Sequence, residues 1–150
     1  MEKLRALTDF LIGRGLVLPE QLDSWAEQVT LDLYWKPTPQ GLHMGDMRYH
    51  AVVSLERFAD KPKRLLALVG SWLENNDQGR EDNSLAAPIF EIDQLNSDLA
   101  DVELQLDFVE PQHLAESETG EIEAFSKRWE FVPFELWVAE QGVLNRESNA

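Results

Sequence analysis

A chain of 150 residues with 43% hydrophobic residues, no cysteine and a formal net charge of −15 can bury its own core, because a domain of this size removes roughly 68 to 70% of its unfolded surface from water. The missing cysteine excludes disulfides, thiolate-bound zinc, iron–sulfur clusters and thiol nucleophiles, and it fits a reducing compartment. The charge is uneven: residues 1–70 hold nine Lys or Arg against nine Asp or Glu, and residues 71–150 hold four against nineteen, so the whole excess lies in the second half. Such a field repels phosphate backbones, which argues against ordinary nucleic-acid binding and leaves a basic partner or plain solubility as its use. The apolar runs are too short to span a bilayer, and MEKLRALTDFLIGRG mixes Glu2 and Asp9 into its apolar residues, unlike a secretory leader. The expectation is a soluble intracellular protein.

Leu4, Leu7, Phe10 and Leu11 recur at helical spacing over residues 2–14, with Gly13 and Gly15 as the stop signal. The next segment, LPEQLDSWAEQ, places Pro19 where a first helical turn tolerates it and sets Leu22, Trp25 and Ala26 on one side, which predicts a short helix or turn. From Val29 the period becomes two, so Val29, Leu31, Leu33 and Trp35 form the inner face of a half-buried strand. KPTPQGLHMGD, with two prolines and two glycines, reads as a long loop at the tip of a hairpin. The second strand follows from about Met47 to Phe58, with Tyr49, Ala51, Val53 and Leu55 on one face.

Asp60 is placed to cap a helix that begins near Pro62 and runs to about residue 75, and Leu65, Leu66, Leu68, Val69, Trp72 and Leu73 cover most of its circumference. NNDQGREDNS, residues 75–84, reads as an exposed loop. Pro88 to Leu95 is a strand candidate, and Val102, Leu104, Leu106 and Phe108 alternate as the buried face of another, with Asn96, Ser97 and Asp98 as turn formers between them. EPQHLAESETGE, residues 110–121, is polar enough to read as flexible. The aromatic segment FSKRWEFVPFELWVA then resumes order, with a last strand at Phe134, Leu136 and Val138 and a frayed tail over residues 143–150. The order of elements predicts a single α+β domain over residues 1–142: a largely antiparallel sheet of about four to five strands, the helix near 62–75 on one face, and an N-terminal amphipathic helix.

Candidate chemistry is sparse. Asp93, Asn96, Asp98 and Asp101 offer oxygen ligands, but they lack the loop glycine and terminal glutamate of an EF-hand, with Leu104 standing where that glutamate belongs, so a turn with Asx side chains bonded to their own backbone is preferred. His43, His50 and His113 show no metal-ligand spacing, and His50 is expected at the surface. No nucleophile elbow, phosphate loop or dinucleotide fingerprint is present, and no carboxylate pair stands out. No catalytic residue, cofactor or metal is therefore assigned. Of the five tryptophans, Trp35 and Trp72 sit on expected core faces, whereas Trp137 alternates out of phase with Phe134, Leu136 and Val138 and is a candidate for facing a partner. Lys61, Lys63 and Arg64 cluster at the start of the core helix, where positive charge opposes the helix dipole, and are either solvated charge or a partner-facing patch.

An N-terminal helix, the stretch YHAVVSLERFADKPKRLLALVGSWLENN and the stretch LNSDLADVELQL together resemble the gpR family, the tail completion proteins of temperate phages with contractile tails. The helix ends in a Trp-Leu pair, Trp72 and Leu73, and Asn96, Asp98, Ala100 and Asp101 match the family's Asn-x-Asp-x-Ala-Asp before an alternating strand. The likeness is most specific over residues 45–110. It departs after Leu106, where Asp-Phe-Val-Glu stands in place of Leu-Thr-Glu, and the aromatic C-terminal segment is unfamiliar. The resemblance implies a structural virion assembly protein that is not an enzyme, finishes the tail, caps its head-proximal end and prepares it to join the head.

A cap that matches a helical tube implies a ring, most simply a hexamer, with tail tube or sheath subunits and head–tail connector proteins as partners, and neither sequence-specific nucleic acid nor membrane among them. It also implies assembly in the host cytoplasm and residence in the virion tail. Two expectations accompany it: carboxylates of the second half line the ring's channel, and the KPTPQGLHMGD tip reaches a neighbour as an arm. The alternative from the residues alone is a bacterial cytosolic adaptor whose acidic half binds a basic protein.

Overall fold

The structure, a computed structural model, describes residues 1–133. Its elements in chain order are α1 (Glu2–Gly13), a single 3-10 turn (Pro19–Gln21), β1 (Leu22–Thr38), β2 (Gly41–Phe58), α2 (Pro62–Asn76), β3 (Ile89–Gln94), β4 (Ala100–Glu116), β5 (Ile122–Ala124) and β6 (Lys127–Phe131). The chain is α+β, and its antiparallel sheet runs β1-β2-β4-β6-β5 with β3 also on β4, six strands among the described residues. The strand expected at Phe134, Leu136 and Val138, and Trp137 with it, lie outside the described residues. The described chain falls into two compact units, one made of residues 1–30 and 48–110, the other of residues 31–47 and the segment from Pro111 onward.

In the first unit the helical periodicities hold. Leu4, Leu7 and Leu11 of α1 are buried, each a gain of roughly 1.5 to 3 kcal/mol over an exposed position. The helix stops as the glycines predict: Gly15 takes φ +70, its N–H donates to the Ile12 carbonyl at 2.9 Å and that of Leu16 to the Leu11 carbonyl at 3.4 Å, a left-handed cap that satisfies the last carbonyls. α2 packs against α1. Its buried side is one stripe, Leu65, Val69, Trp72 and Leu73, and Leu66 is exposed, so the apolar surface does not close around the helix as expected.

Trp72 meets Phe108 of β4 edge-on at 6.1 Å and Tyr49 of β2 meets the same ring at 5.7 Å, which seats α2 on the sheet. Tyr49, Ala51, Val53 and Leu55 of β2 and Val102, Leu104, Leu106 and Phe108 of β4 are buried as their alternation predicts. β3 pairs with β4 from Ile89 opposite Gln105 to Gln94 opposite Ala100. The reversal between them is an Asx turn, with Asn96 Oδ1 accepting from the N–H of Asp98 at 2.8 Å and of Leu99 at 2.9 Å.

Three expectations are corrected. The expected short helix or turn is the single 3-10 turn, but β1 begins directly after it, so Trp25 does not share a helix side with Leu22 and Ala26 and is an exposed β1 residue whose indole N–H donates to Glu27 Oε1 at 2.8 Å. The inner face assigned to β1 is not buried: Val29, Leu31 and Leu33 keep 49, 47 and 55% of their surface exposed. β1 ends the strand order, and positive φ at Gln28 and Trp35 resets its alternation twice, so no continuous face forms. Lastly, KPTPQGLHMGD is not a long loop, because β1 extends to Thr38 and β2 starts at Gly41, leaving Pro39 and Gln40 alone to turn the hairpin.

The second unit is built on Leu42, Leu114 and Trp129, with Trp35, Met44, Ile122 and Ala124 packed against them. Trp35 is thus half-buried rather than a core residue. The Trp129 indole N–H donates to the Ala124 carbonyl at 2.8 Å, across the β5–β6 hairpin. Residues 110–116, expected to be flexible, continue β4, and Leu114 to Glu116 pair with β6 in register Leu114 opposite Phe131.

Gly45 faces the β1 backbone so closely that a Cβ there would strike the Asp32 carbonyl, whereas a Cβ at Gly13 would meet nothing within 4 Å. Gly45→Ala should therefore lower stability by about 1 to 3 kcal/mol, and Gly13→Ala should leave it unchanged or raise it by about 0.5 to 1 kcal/mol. Urea unfolding midpoints check both.

Candidate functional site

The described residues hold one buried polar cluster, and it lies where the chain begins. Glu110, in β4, is only 3% exposed. Its carboxylate accepts the N–H groups of Glu2 and Lys3 at 3.1 and 3.2 Å, two of the amides that the first turn of α1 leaves without helical partners. A carboxylate at that end also meets the positive pole of the helix. The Tyr49 hydroxyl donates to the same carboxylate, and burial followed by that contact pushes the phenol far above its ordinary pKa, so it stays protonated as the donor.

Asp77, directly after α2, is 5% exposed and sits between two cations: Lys3 Nζ at 2.7 Å from Oδ1 and Arg80 Nη1 at 2.7 Å from Oδ2. Those cations also replace a strand. Where β3 stops, opposite Gln105, Arg80 donates to the Asp107 carbonyl at 2.8 Å and Lys3 to the Val109 carbonyl at 2.7 Å. Backbone groups that a neighbouring strand would have satisfied are met by side chains instead. Two carboxylates and two cations balance, as buried charge requires. Chemically the arrangement holds three segments together: the chain start, the turn after α2, and β4.

Sequence reasoning missed this cluster. It assigned Glu110 to a flexible segment and Asp77 and Arg80 to an exposed loop. No local signal marked it, because the break in alternation, with Val109 and Glu110 both buried directly after Phe108, shows only in the fold. His50 is half-buried rather than on the surface: its Nδ1 lies 2.8 Å from Asp107 Oδ1 and its Nε2 3.3 Å from Gln105. The hydrogen bond to Asp107 raises its pKa above 6.5, against a smaller opposing effect of burial.

Lys61, Lys63 and Arg64 stand at the start of α2, as their place in the sequence predicts. Lys61 is the N-cap of α2, Pro62 its first residue, and Lys61, Lys63 and Arg64 are exposed. Asp60 does not cap the helix but sits one residue earlier, accepting the Lys61 N–H at 2.7 Å and an Arg64 N–H at 2.6 Å. Those contacts, the backbone one first, hold its carboxyl below the ordinary carboxylate range. At the other end of α2 lies a groove of about 830 Å³, floored by Leu66, Val69, Leu73 and Phe90 and rimmed by Glu74, Glu81 and Asp82. Among the described residues no group of three or more His, Cys, Asp or Glu is arranged to hold a metal, and no helix is long and apolar enough to cross a membrane.

The family model for the P2 phage tail completion protein R (GpR) matches residues 1–133 of this chain. The chain belongs to that family. The match takes in α1, α2 and all six described strands, well beyond the stretch around residues 45–110 where the sequence likeness is most evident. No curated protein and no solved structure matches the chain. It is therefore a phage tail completion protein with a structural role in tail assembly, which implies contact with other tail or virion components.

Glu110→Ala leaves two helix amides and a buried phenol without their acceptor, and should cost about 3 kcal/mol or more, with Glu110→Gln costing less; urea unfolding of the two variants measures it. Because the folded pKa of His50 is raised above its unfolded value, the stability it contributes is fully present below about 6.5 and lost as pH rises through the folded pKa. Asp107→Asn should lower that pKa and flatten this part of the pH dependence, which imidazole NMR titration and unfolding across neutral pH will show.

Proposed function

We propose that this gpR-family chain completes a contractile tail by closing a ring on its head-proximal end, leaving a surface to which the head is joined. Membership of the family over residues 1–133 carries the reading. A cap on a helical tube must match the tube's rotational symmetry, which makes a hexamer the simplest form, and ring contacts are heterologous, so closure itself stops further addition. The mechanism is steric and interfacial, without turnover. Tail tube or sheath subunits lie on one side of the ring and head–tail connector proteins on the other. Assembly takes place in the host cytoplasm, and the product remains in the virion tail.

The charge distribution supports the same picture. Six copies at −15 each repel one another strongly, and contacts that use the electrically neutral residues 1–70 on at least one side would lessen that cost while most of the acidic half faces solvent or the channel. Carboxylates along the channel would keep passing DNA from adhering. Lys61, Lys63, Arg64 and Trp137 are the residues proposed to face partners.

Deleting the gene should leave heads and tails unjoined in electron micrographs of lysates, with joining restored when the chain is supplied in trans. Normal numbers of complete virions in its absence would contradict the proposal.

A further inference from the structure

Helix α2 carries its exposed charges against its own dipole. The first turn has no acidic residue and is led by Lys61, Lys63 and Arg64, while the last turn has no basic residue and is followed by an acidic rim. Within the first and last turns such placement is unfavourable for the isolated chain. Arg64 is answered by Asp60. Lys61 and Lys63 at one end, and Glu74, Glu81 and Asp82 at the other, are exposed and make no ion pair among the described residues.

The two ends complement each other but cannot meet within one molecule. Fifteen residues of helix hold them about 22 Å apart. Between two molecules they can meet, the start of one α2 against the end of the next. That contact is heterologous, using two different patches on every copy, and it is the type that a closed ring requires. The receiving surface is more than a set of carboxylates, because its floor is the apolar groove of Leu66, Val69, Leu73 and Phe90. A contact there combines buried apolar area with pairing at a polar rim. Complementary charge also fixes orientation, since two starts or two ends brought together repel.

We propose that the cationic start of α2 in one copy docks on the acidic-rimmed groove at the end of α2 in the next copy, as the repeating contact of the assembled ring. This inference rests on the ring reading above and specifies its interface.

The chain has no cysteine, which makes a direct test clean. Full-length Lys61→Glu/Lys63→Glu and Glu81→Lys/Asp82→Lys variants are supplied to the gene deletion, separately and together. Each alone should fall to the deletion level of virion yield. Co-expression should restore yield, because each variant offers the patch that the other lacks, and the four-residue swap in one chain should restore it as well. Circular dichroism and urea midpoints near wild type identify the losses as failures of docking rather than folding. In purified tails, Lys63→Cys/Asp82→Cys should give a disulfide ladder under oxidation, and either single cysteine should not.

Normal yield from both reversed variants would overturn the proposal. So would loss without rescue on co-expression, an outcome that assigns the groove to a different tail protein. A tail-joining defect on deletion would in either case leave the ring reading standing, whereas a deletion without phenotype would remove that reading itself.

Discussion

The carboxylate of Glu110 is the contact on which the first unit depends. It is buried, and it accepts from Glu2 and Lys3, more than a hundred residues earlier. A charged group in such a position is tolerated only when every demand on it is met. Two helix amides and the Tyr49 hydroxyl meet it. Asp77 repeats the arrangement with Lys3 and Arg80, so Lys3 is shared: its backbone belongs to one carboxylate and its ammonium to the other. Removal of any member leaves buried charge on the rest, so the cluster acts as a unit.

That dependence explains how a modest sheet carries its helices. β3 covers β4 only as far as Gln105, and the carbonyls of Asp107 and Val109 are satisfied by Arg80 and Lys3 in place of another strand. The start of α1 and the turn after α2 are thereby tied to the same stretch of β4. Above that stretch, Phe108 receives Trp72 and Tyr49. Polar and aromatic contacts fall on successive residues of one strand, one set orienting the helices and the other burying them.

How much of this was legible depended on whether the deciding partner lay nearby in the chain. α1, α2, the buried faces of β2 and β4 and the Asx turn at Asn96 could be read, because periods of 3.6 and 2 and turn chemistry are local. Pro37, Pro39, Gly41 and Gly45 were read as a loop, since these residues usually break strands. Pro37 is in fact tolerated because β1 ends the strand order, where a missing N–H need not interrupt a ladder, and Gly45 is there because the Asp32 carbonyl leaves no room for a side chain. Val29, Leu31 and Leu33 showed an apolar face, but alternation does not say what covers it. Glu110 and Asp77 were invisible for a related reason: an acidic residue in a polar stretch signals burial only once its partners, far off in sequence, are known. The cations Lys61, Lys63 and Arg64 were legible as a cluster, whereas the groove at the opposite end of the helix required the fold.

Family membership, a fold locked by nonlocal polar contacts, and charges that one molecule leaves unanswered all fit a part whose function is to be built into something larger. Cryo-electron microscopy of purified tails tests that most directly. The account predicts density for this chain as a closed ring at the head-proximal end, one ring per tail, with carboxylates from its acidic half toward the channel. Density along the length of the tube, at the distal end, or with a channel lined by basic residues would contradict it.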